Sequence, residues 1–421
     1  MNVARRFIAA FSAVPTGLSQ CVQARNPVLK DGATFMPSLR DGRDPAGRGS
    51  FFRLGALLTT ALVATLPAQS VQADDWPMFR GNARLTGVAE GDLPTKLDLL
   101  WTFEAPEAVA SSAAIVDGVV YVGCDEGGLF ALNLSDGKPR WQYPLEAPIQ
   151  SSPLVVGQTV FFGDDDGLFH ALDIATGKAR WTFKTDAQII SSATFVDGKV
   201  LFGSYDAFLY ALNPADGQVL WKYETEGRVH GTPGVIDGKA LVAGCDEHLH
   251  VVDVRDGKAV RTISMGSVSG ASAACAGSTV YVGTYGNQVV AIDFEVGKRK
   301  WVFEDPDRKF PFMSSAALVG DRVIVGGRDK RLRCFDATTG KVLWTFVTKG
   351  RVESSAVVVG RRVFFGGSDG NLYELDLTTG KENWRFVAGG PITASPAVAR
   401  RRLVIGTLDG LVYCFGEKKR P

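Results

Sequence analysis

No two cysteines adjoin in this sequence, and six occur in 421 residues. That is too sparse for a disulfide framework. No segment repeats apolar residues at i, i+3 and i+4 over three turns, so long amphipathic helices are not expected. Neither sign of charge dominates, with 46 Lys and Arg against 45 Asp and Glu. Phosphate attraction therefore does not drive binding here, and no nucleic-acid partner is expected. The phosphate-loop, nucleophile-elbow and zincin signatures are missing, which leaves those three chemistries without support. No uncharged apolar run reaches the ~20 residues of a spanning helix, so the mature chain is expected to lack a transmembrane span.

The N-terminal residues read differently from the rest. Residues 1–73 hold eight basic and three acidic residues, leaving 38 against 42 in the remainder. From about residue 48 the pattern is that of a secretory signal. Arg48 and Arg53 flank an uncharged apolar run over 54–66, and Val71-Gln72-Ala73 has the small-x-small form of a cleavage site. The mature chain is expected to start at Asp74. An earlier apolar stretch, 7–18, ends near Cys21, but Gln20 stands where a lipoprotein signal wants a small residue. A start downstream, at Met36, is the simpler reading of that region. The expected organisation is a targeting region over 1–73, a leader over 74–96, a repeat domain over 97–416 and a basic tail over 417–421.

What the sequence has in abundance is a repeat. Trp101, Trp141, Trp181, Trp221, Trp301, Trp344 and Trp384 are spaced by 40, 40, 40, 80, 43 and 40 residues. Arg261 marks the midpoint of the long gap, which makes eight marks. A period near 40 residues points to β-propeller blades. Each unit opens on a small pair such as Ser151-Ser152, passes a turn such as Asp197-Gly198, and ends at the tryptophan. That is four short strands joined by Gly and Asp turns. The first tryptophan strand precedes any complete unit, and the last unit lacks one. An open array would leave two bare edges. A ring in which the N-terminal strand completes the last blade removes both. The expected fold is all-β: an eight-bladed propeller with four antiparallel strands per blade, closed by that exchange.

The columns of the repeat carry structure before they carry chemistry. The seven tryptophans are expected to dock neighbouring blades. Cys334 and Cys414 fall in a column of small residues and are expected to be core thiols. His170 and His250 fall in an aromatic column. The acidic turn column, with Asp166, Asp206, Asp246, Asp329, Asp369 and Asp409, reads as hairpin chemistry rather than a carboxylate pair. The run Asp164-Asp165-Asp166-Gly167 lacks the alternating ligands and distant Glu of a calcium loop. His248 and His250 share a strand face, as two metal ligands would, but both lie in structural columns. No catalytic, cofactor-binding or metal residue is therefore assigned.

The unit Gly-x-Leu-[Tyr/Phe]-Ala-Leu-[Asp/Asn]-x-x-[Thr/Asp]-Gly-Lys-x-x-Trp resembles the quinoprotein-type repeat, best over 168–181, 209–221 and 372–384. The segment Trp76-Pro77-Met78-Phe79-Arg80-Gly81 is similar to the opening of many exported quinoprotein-like propellers. The resemblance implies eight blades and two functional classes. One is the dehydrogenases that depend on pyrroloquinoline quinone (PQQ) with calcium, in which the quinone is implied to sit in the channel between a stacking Trp and a vicinal disulfide. The other is the non-catalytic outer-membrane β-barrel assembly factor B and its relatives. This chain has no Cys-Cys pair, and Trp76 alone lies outside the docking column. The resemblance thus implies an exported, non-catalytic scaffold in the periplasm or cell envelope, needing no cofactor. A small or degenerate PQQ dehydrogenase is the alternative, and a propeller sensing a polysaccharide or peptide a third. The expected partners are envelope proteins, including the outer-membrane assembly machinery, and a monomer is expected. The lack of a lipidation cysteine beside the cleavage site departs from the assembly factor.

The candidate contact surface is the channel mouth. The residues before each small pair include Gln150, His230 and Glu353, and two positions earlier lie Gln188, Arg228 and Arg351. A three-residue insertion carries Phe310 and Phe312, expected to be exposed anchors for a partner. Arg361, Arg362 and 400–402, with Lys418, Lys419 and Arg420, are expected to form a basic patch for an anionic surface.

Overall fold

The computed structural model describes residues 74–418. The expectations for the targeting region and for Lys419 and Arg420 lie outside the described residues. Eight sheets follow one another, each an antiparallel set of four main strands. The tight turns between the first two strands explain the Asp-Gly pairs. Asp197 and Gly198 both take positive φ, 47° and 73°, as the two central residues of a type I′ hairpin require.

The ring closes as the strand count demands. Asp98–Glu104 lies against Leu411–Gly416, with Trp101 opposite Cys414. The N-terminal strand is thus the outermost strand of the eighth blade.

Tryptophan docking follows one rule. The Trp344 indole N–H donates to the Leu377 carbonyl of the next blade at 2.9 Å. Its ring covers Gly380, where an added β-carbon would fall 2.5 Å from the indole. Trp101, Trp141, Trp181, Trp221 and Trp301 donate in the same way, to Leu134, Ile174, Pro214, Val254 and Ala337. Arg261 keeps the donor without the ring: its guanidinium reaches the Glu295 carbonyl at 3.0 Å.

Around the axis the small pairs form a belt. Ser112 N–H donates to Ser152 Oγ, and Ser152 N–H to Ser192 Oγ. From Thr232 the chain of bonds runs through Ser272, Ser315, Ser355 and Ser395 back to Ser112. These bonds tie each blade to the next where the blades converge.

The leader does more than precede the ring. Residues 74–89 run across one end of the channel and bond to the innermost strand or its turn in seven blades. Carbonyls of Asp74, Trp76, Pro77, Ala83, Arg84, Thr86 and Gly87 accept from Arg400, Ile115, Val155, Val235, Cys275, Leu318 and Val358. Trp76, Met78 and Leu85 are buried in the core. Arg80 is buried too, with one bond to the Ala316 carbonyl at 3.1 Å. Burial lowers its pKa to about 9.

The basic patch is therefore largely engaged. Arg400 pairs with Asp75 and Asp117, and Arg401 with Asp92. Arg362 holds Glu374 and the Pro94 carbonyl. These arginines fasten the leader, so their charge is matched locally rather than offered to an anionic surface.

Candidate functional site at the channel mouth

The residues before each small pair converge at the end of the channel opposite the leader. Gln150, Ile190, His230, Met313, Glu353 and Thr393 line a cavity of about 150 Å³ together with the Ser/Thr belt. Phe79 of the leader lines it as well, so the leader forms its floor. That volume is below the ~300–1,000 Å³ of a small-molecule pocket.

A second ring surrounds the first and was missed in the sequence. Asp125, Asp165, Tyr205, Tyr285 and Arg328 share one position of the repeat, two residues after the glycines at 123, 163, 203, 283 and 326 near the end of the second strand. Their backbone N–H groups donate to the loops that carry the first ring, as Tyr205 does to Gln188 at 2.9 Å. Their side chains clamp three of the sequence candidates. Gln150 donates to Asp165 at 2.8 Å, Tyr205 meets His230 Nδ1 at 2.6 Å, and Arg328 pairs with Glu353. The Arg228 guanidinium lies 5.3 Å from the centre of the Tyr205 ring. The Gln188 carbonyl braces this ring, while the Arg351 carbonyl accepts from Ser368 N–H and the Arg351 residue itself is exposed. The signal was a shared repeat position, hidden by unlike chemistry.

The mouth is electrically uneven. Burial raises the Asp165 carboxyl to about 6, and burial followed by Glu107 and Glu126 raises Asp125. Each carboxyl has one buried oxygen without a partner. Burial lowers His230 to about 4, so its imidazole is neutral at pH 7. Because the folded Asp165 holds its proton to a higher pH than the unfolded chain, its contribution falls as pH rises from about 4 to about 6. Asp165→Asn should therefore stabilise the protein at about pH 8 and be near neutral at about pH 4. Urea unfolding at both values checks this. Equal effects at the two would place the carboxyl at its ordinary pKa.

Phe312 is not an exposed anchor. It is 2% exposed, whereas Phe310 is 47% exposed. The insertion displaces Phe312 in sequence but not in space. Its N–H donates to Thr284, matching the bonds of Ile189 to Asp164 and Val229 to Ser204. It fills the apolar position beneath the channel residue, edge-on to Phe303 and 5.4 Å from Arg333. Phe312→Ala should cost about 3–5 kcal/mol. Phe310→Ala should stay within about 0.5 kcal/mol. Comparing the two urea midpoints tests the assignment; equal losses would contradict it.

The remaining candidates keep structural partners. His250 accepts or donates at both ring nitrogens, to Asp246 at 2.7 Å and Tyr223 at 3.0 Å. His248 Nδ1 contacts the Asp246 carbonyl at 2.7 Å. Among the described residues no group of three or more potential ligands is placed to hold a metal. Asp206, Asp246 and Asp369 accept N–H bonds from their own turns. In the second blade Asp164 takes that role, bonding Leu168 and His170, while Asp166 is exposed. Cys334 and Cys414 are buried, and burial pushes their thiols up to about 11 and about 12.

Eight four-stranded blades closed by the N-terminal strand, six of the junctions docked by a tryptophan and one by Arg261, define the quinoprotein-like propeller class, and a blind polar mouth is what this member presents. The chain belongs to the family described as outer membrane protein assembly factor BamB, whose model matches residues 95–225, 186–304, 229–344 and 304–415. BamB from Moraxella catarrhalis superposes with a TM-score of 0.66 at 21% identity, over 78% of this chain and 99% of that one. A quinohemoprotein alcohol dehydrogenase from Comamonas testosteroni superposes with a TM-score of 0.70 at 15% identity, over 83% of this chain and 82% of that one. A segment of 80 residues is 35% identical to quinohemoprotein alcohol dehydrogenase ADH IIB of Pseudomonas putida, covering 17% of this chain and 12% of that protein. At these identities the structural likenesses speak to fold alone.

Proposed function

We propose that this propeller is an exported, non-catalytic scaffold of the cell envelope that binds a protein partner at the channel mouth during outer-membrane protein assembly. The observation that carries this reading is the blind channel. The leader floors it with Phe79, and about 150 Å³ remains above.

The quinone reading is favoured by the dehydrogenase likeness, but the lining does not fit that cofactor. The chamber is lined by Ser, Thr, Gln, His, Glu and Met with Ala110, Ile190, Gly270 and Phe79, and holds no tryptophan and no cysteine. Trp76 packs in the core against the first and last blades. Glu353, the carboxylate at the chamber wall, is already paired with Arg328.

The test is a pull-down from envelope extract run beside a quinone titration. Wild type should retain an envelope protein, and Arg228→Ala with Arg351→Ala should weaken that capture at an unchanged melting temperature. Each side chain is expected to contribute about 1–3 kcal/mol of binding. Added PQQ and calcium should give no dye-linked alcohol or aldose oxidation. Saturable turnover, lost on chelation, would replace the scaffold with the dehydrogenase. Full capture by the double variant would move the contact surface off the mouth.

A further inference from the structure

Trp384 is where the docking rule stops. In six other blades the indole N–H donates to a carbonyl at the start of the next blade's last turn. The residue that turn begins on is Asn or Asp, as in Asp376, whose carboxylate accepts from Thr378 and Thr379 N–H. A glycine then lies under the ring, as Gly380 does under Trp344. Strand exchange removes that turn from the last blade. The chain leaves its third strand at Gly416, and the fourth is supplied by Asp98–Glu104 from the other end of the sequence.

The seam has been rebuilt around the gap. Arg362 grips Glu374 at 2.9 and 2.7 Å, and Asn383 donates to the same carboxylate at 3.3 Å. Glu374 is thus a buried charge in a column that is otherwise mostly Ala, Val and Cys. Arg362 also holds the Pro94 carbonyl at 2.7 Å, which lays the leader beside Trp384. The leader covers the indole incompletely. A notch of about 470 Å³ remains, walled by Trp384, Arg362, Glu374, Asn383, Lys96 and Leu97. Among the described residues nothing accepts from the Trp384 indole N–H.

The chain's own continuation is a poor occupant. Gly416 stands where the other turns place Asn or Asp, and Arg420 stands where they place glycine. Neither the Asx bonds nor the close approach to the ring is open to it.

We propose that this notch is a second binding site, separate from the channel mouth, that takes a glycine-containing Asx turn from a partner polypeptide. The turn's first carbonyl would accept from Trp384 Nε1, and its glycine would lie on the indole face. The protein itself displays this recognition six times over, with an aromatic face, one directed donor and a residue without a β-carbon. The notch volume falls in the ~300–1,000 Å³ range of sites that hold a ligand of this size.

The probe is a blocked peptide of residues 375–382, Leu-Asp-Leu-Thr-Thr-Gly-Lys-Glu, the turn that docks on Trp344. Indole N–H signals of 15N-labelled full-length protein are followed during titration. The Trp384 signal is identified by its loss in Trp384→Phe. It should shift saturably, with Kd around 1 mM or tighter. A peptide with Val in place of Gly should bind at least tenfold more weakly, which tests the site without altering the protein. A stationary Trp384 signal, or equal binding of the Gly and Val peptides, would overturn the assignment. A shift of that signal with protein concentration alone would give the notch to a second copy of the chain and overturn it as well.

Discussion

A chain lacking residues 97–104 should fail to form a stable monomer. The deletion removes the outer strand of the eighth blade and bares the edge of Leu411–Gly416. Unpaired edges template association. It also removes Trp101, 8% exposed, whose indole bonds Leu134 in the first blade. Loss of a buried Trp alone costs about 3–5 kcal/mol, and the strand ladder adds to it. Gel filtration should show aggregates, and cooperative melting should be lost. A monomeric deletion variant with unchanged melting would contradict the closure.

Removing the leader, residues 74–89, should be nearly as damaging, for a different reason. The ring would keep all eight blades but lose bonds that cross seven of them at one end. It would also expose the apolar pockets of Trp76, Met78 and Leu85. Trp76→Ala alone should lower stability by about 3–5 kcal/mol. In the deletion variant, amide exchange should rise along the innermost strands, near Ile115, Val235, Leu318 and Val358, ahead of the outer ones. Uniform exchange across the blades would show that the leader does not tie the ring together. The leader reads in sequence as a short preface, and its weight becomes visible when its partners are seen scattered along the chain.

That contrast separates what was legible from what was not. Blade number, closure and docking at six of the seven tryptophans could be read because they follow a fixed period, whereas Trp384, expected to dock like the others, meets a blade whose last strand comes from the other end of the chain and so has no turn to dock on. Even Arg261, the degenerate mark, fell in place because the guanidinium retains the one donor that docking needs. The channel mouth could be located by the same period but not populated. Asp125, Asp165, Tyr205, Tyr285 and Arg328 share a position and no chemistry, so no pattern joined them. Phe312 was misplaced because the insertion shifts it in sequence while the backbone bond to Thr284 restores it in space. Arg400 and Arg401 of the supposed basic patch were misread because their leader partners are remote: Arg401 and Asp92 are 309 residues apart. Local sequence cannot reveal that a charge is already matched across the ring.

The strand exchange at the seam also sets an order of events. The first of the blade strands made, Asp98–Glu104, has as its partner the last, Leu411–Gly416, and the leader's Asp75 waits for Arg400, 325 residues later. During synthesis the growing chain is an arc whose strand Asp98–Glu104 lacks its ladder partner until the final blade emerges. Local blade formation is quick, but joining the ends is the slow, long-range step. Throughout that interval the unpaired backbone edge of Asp98–Glu104 is available to other chains.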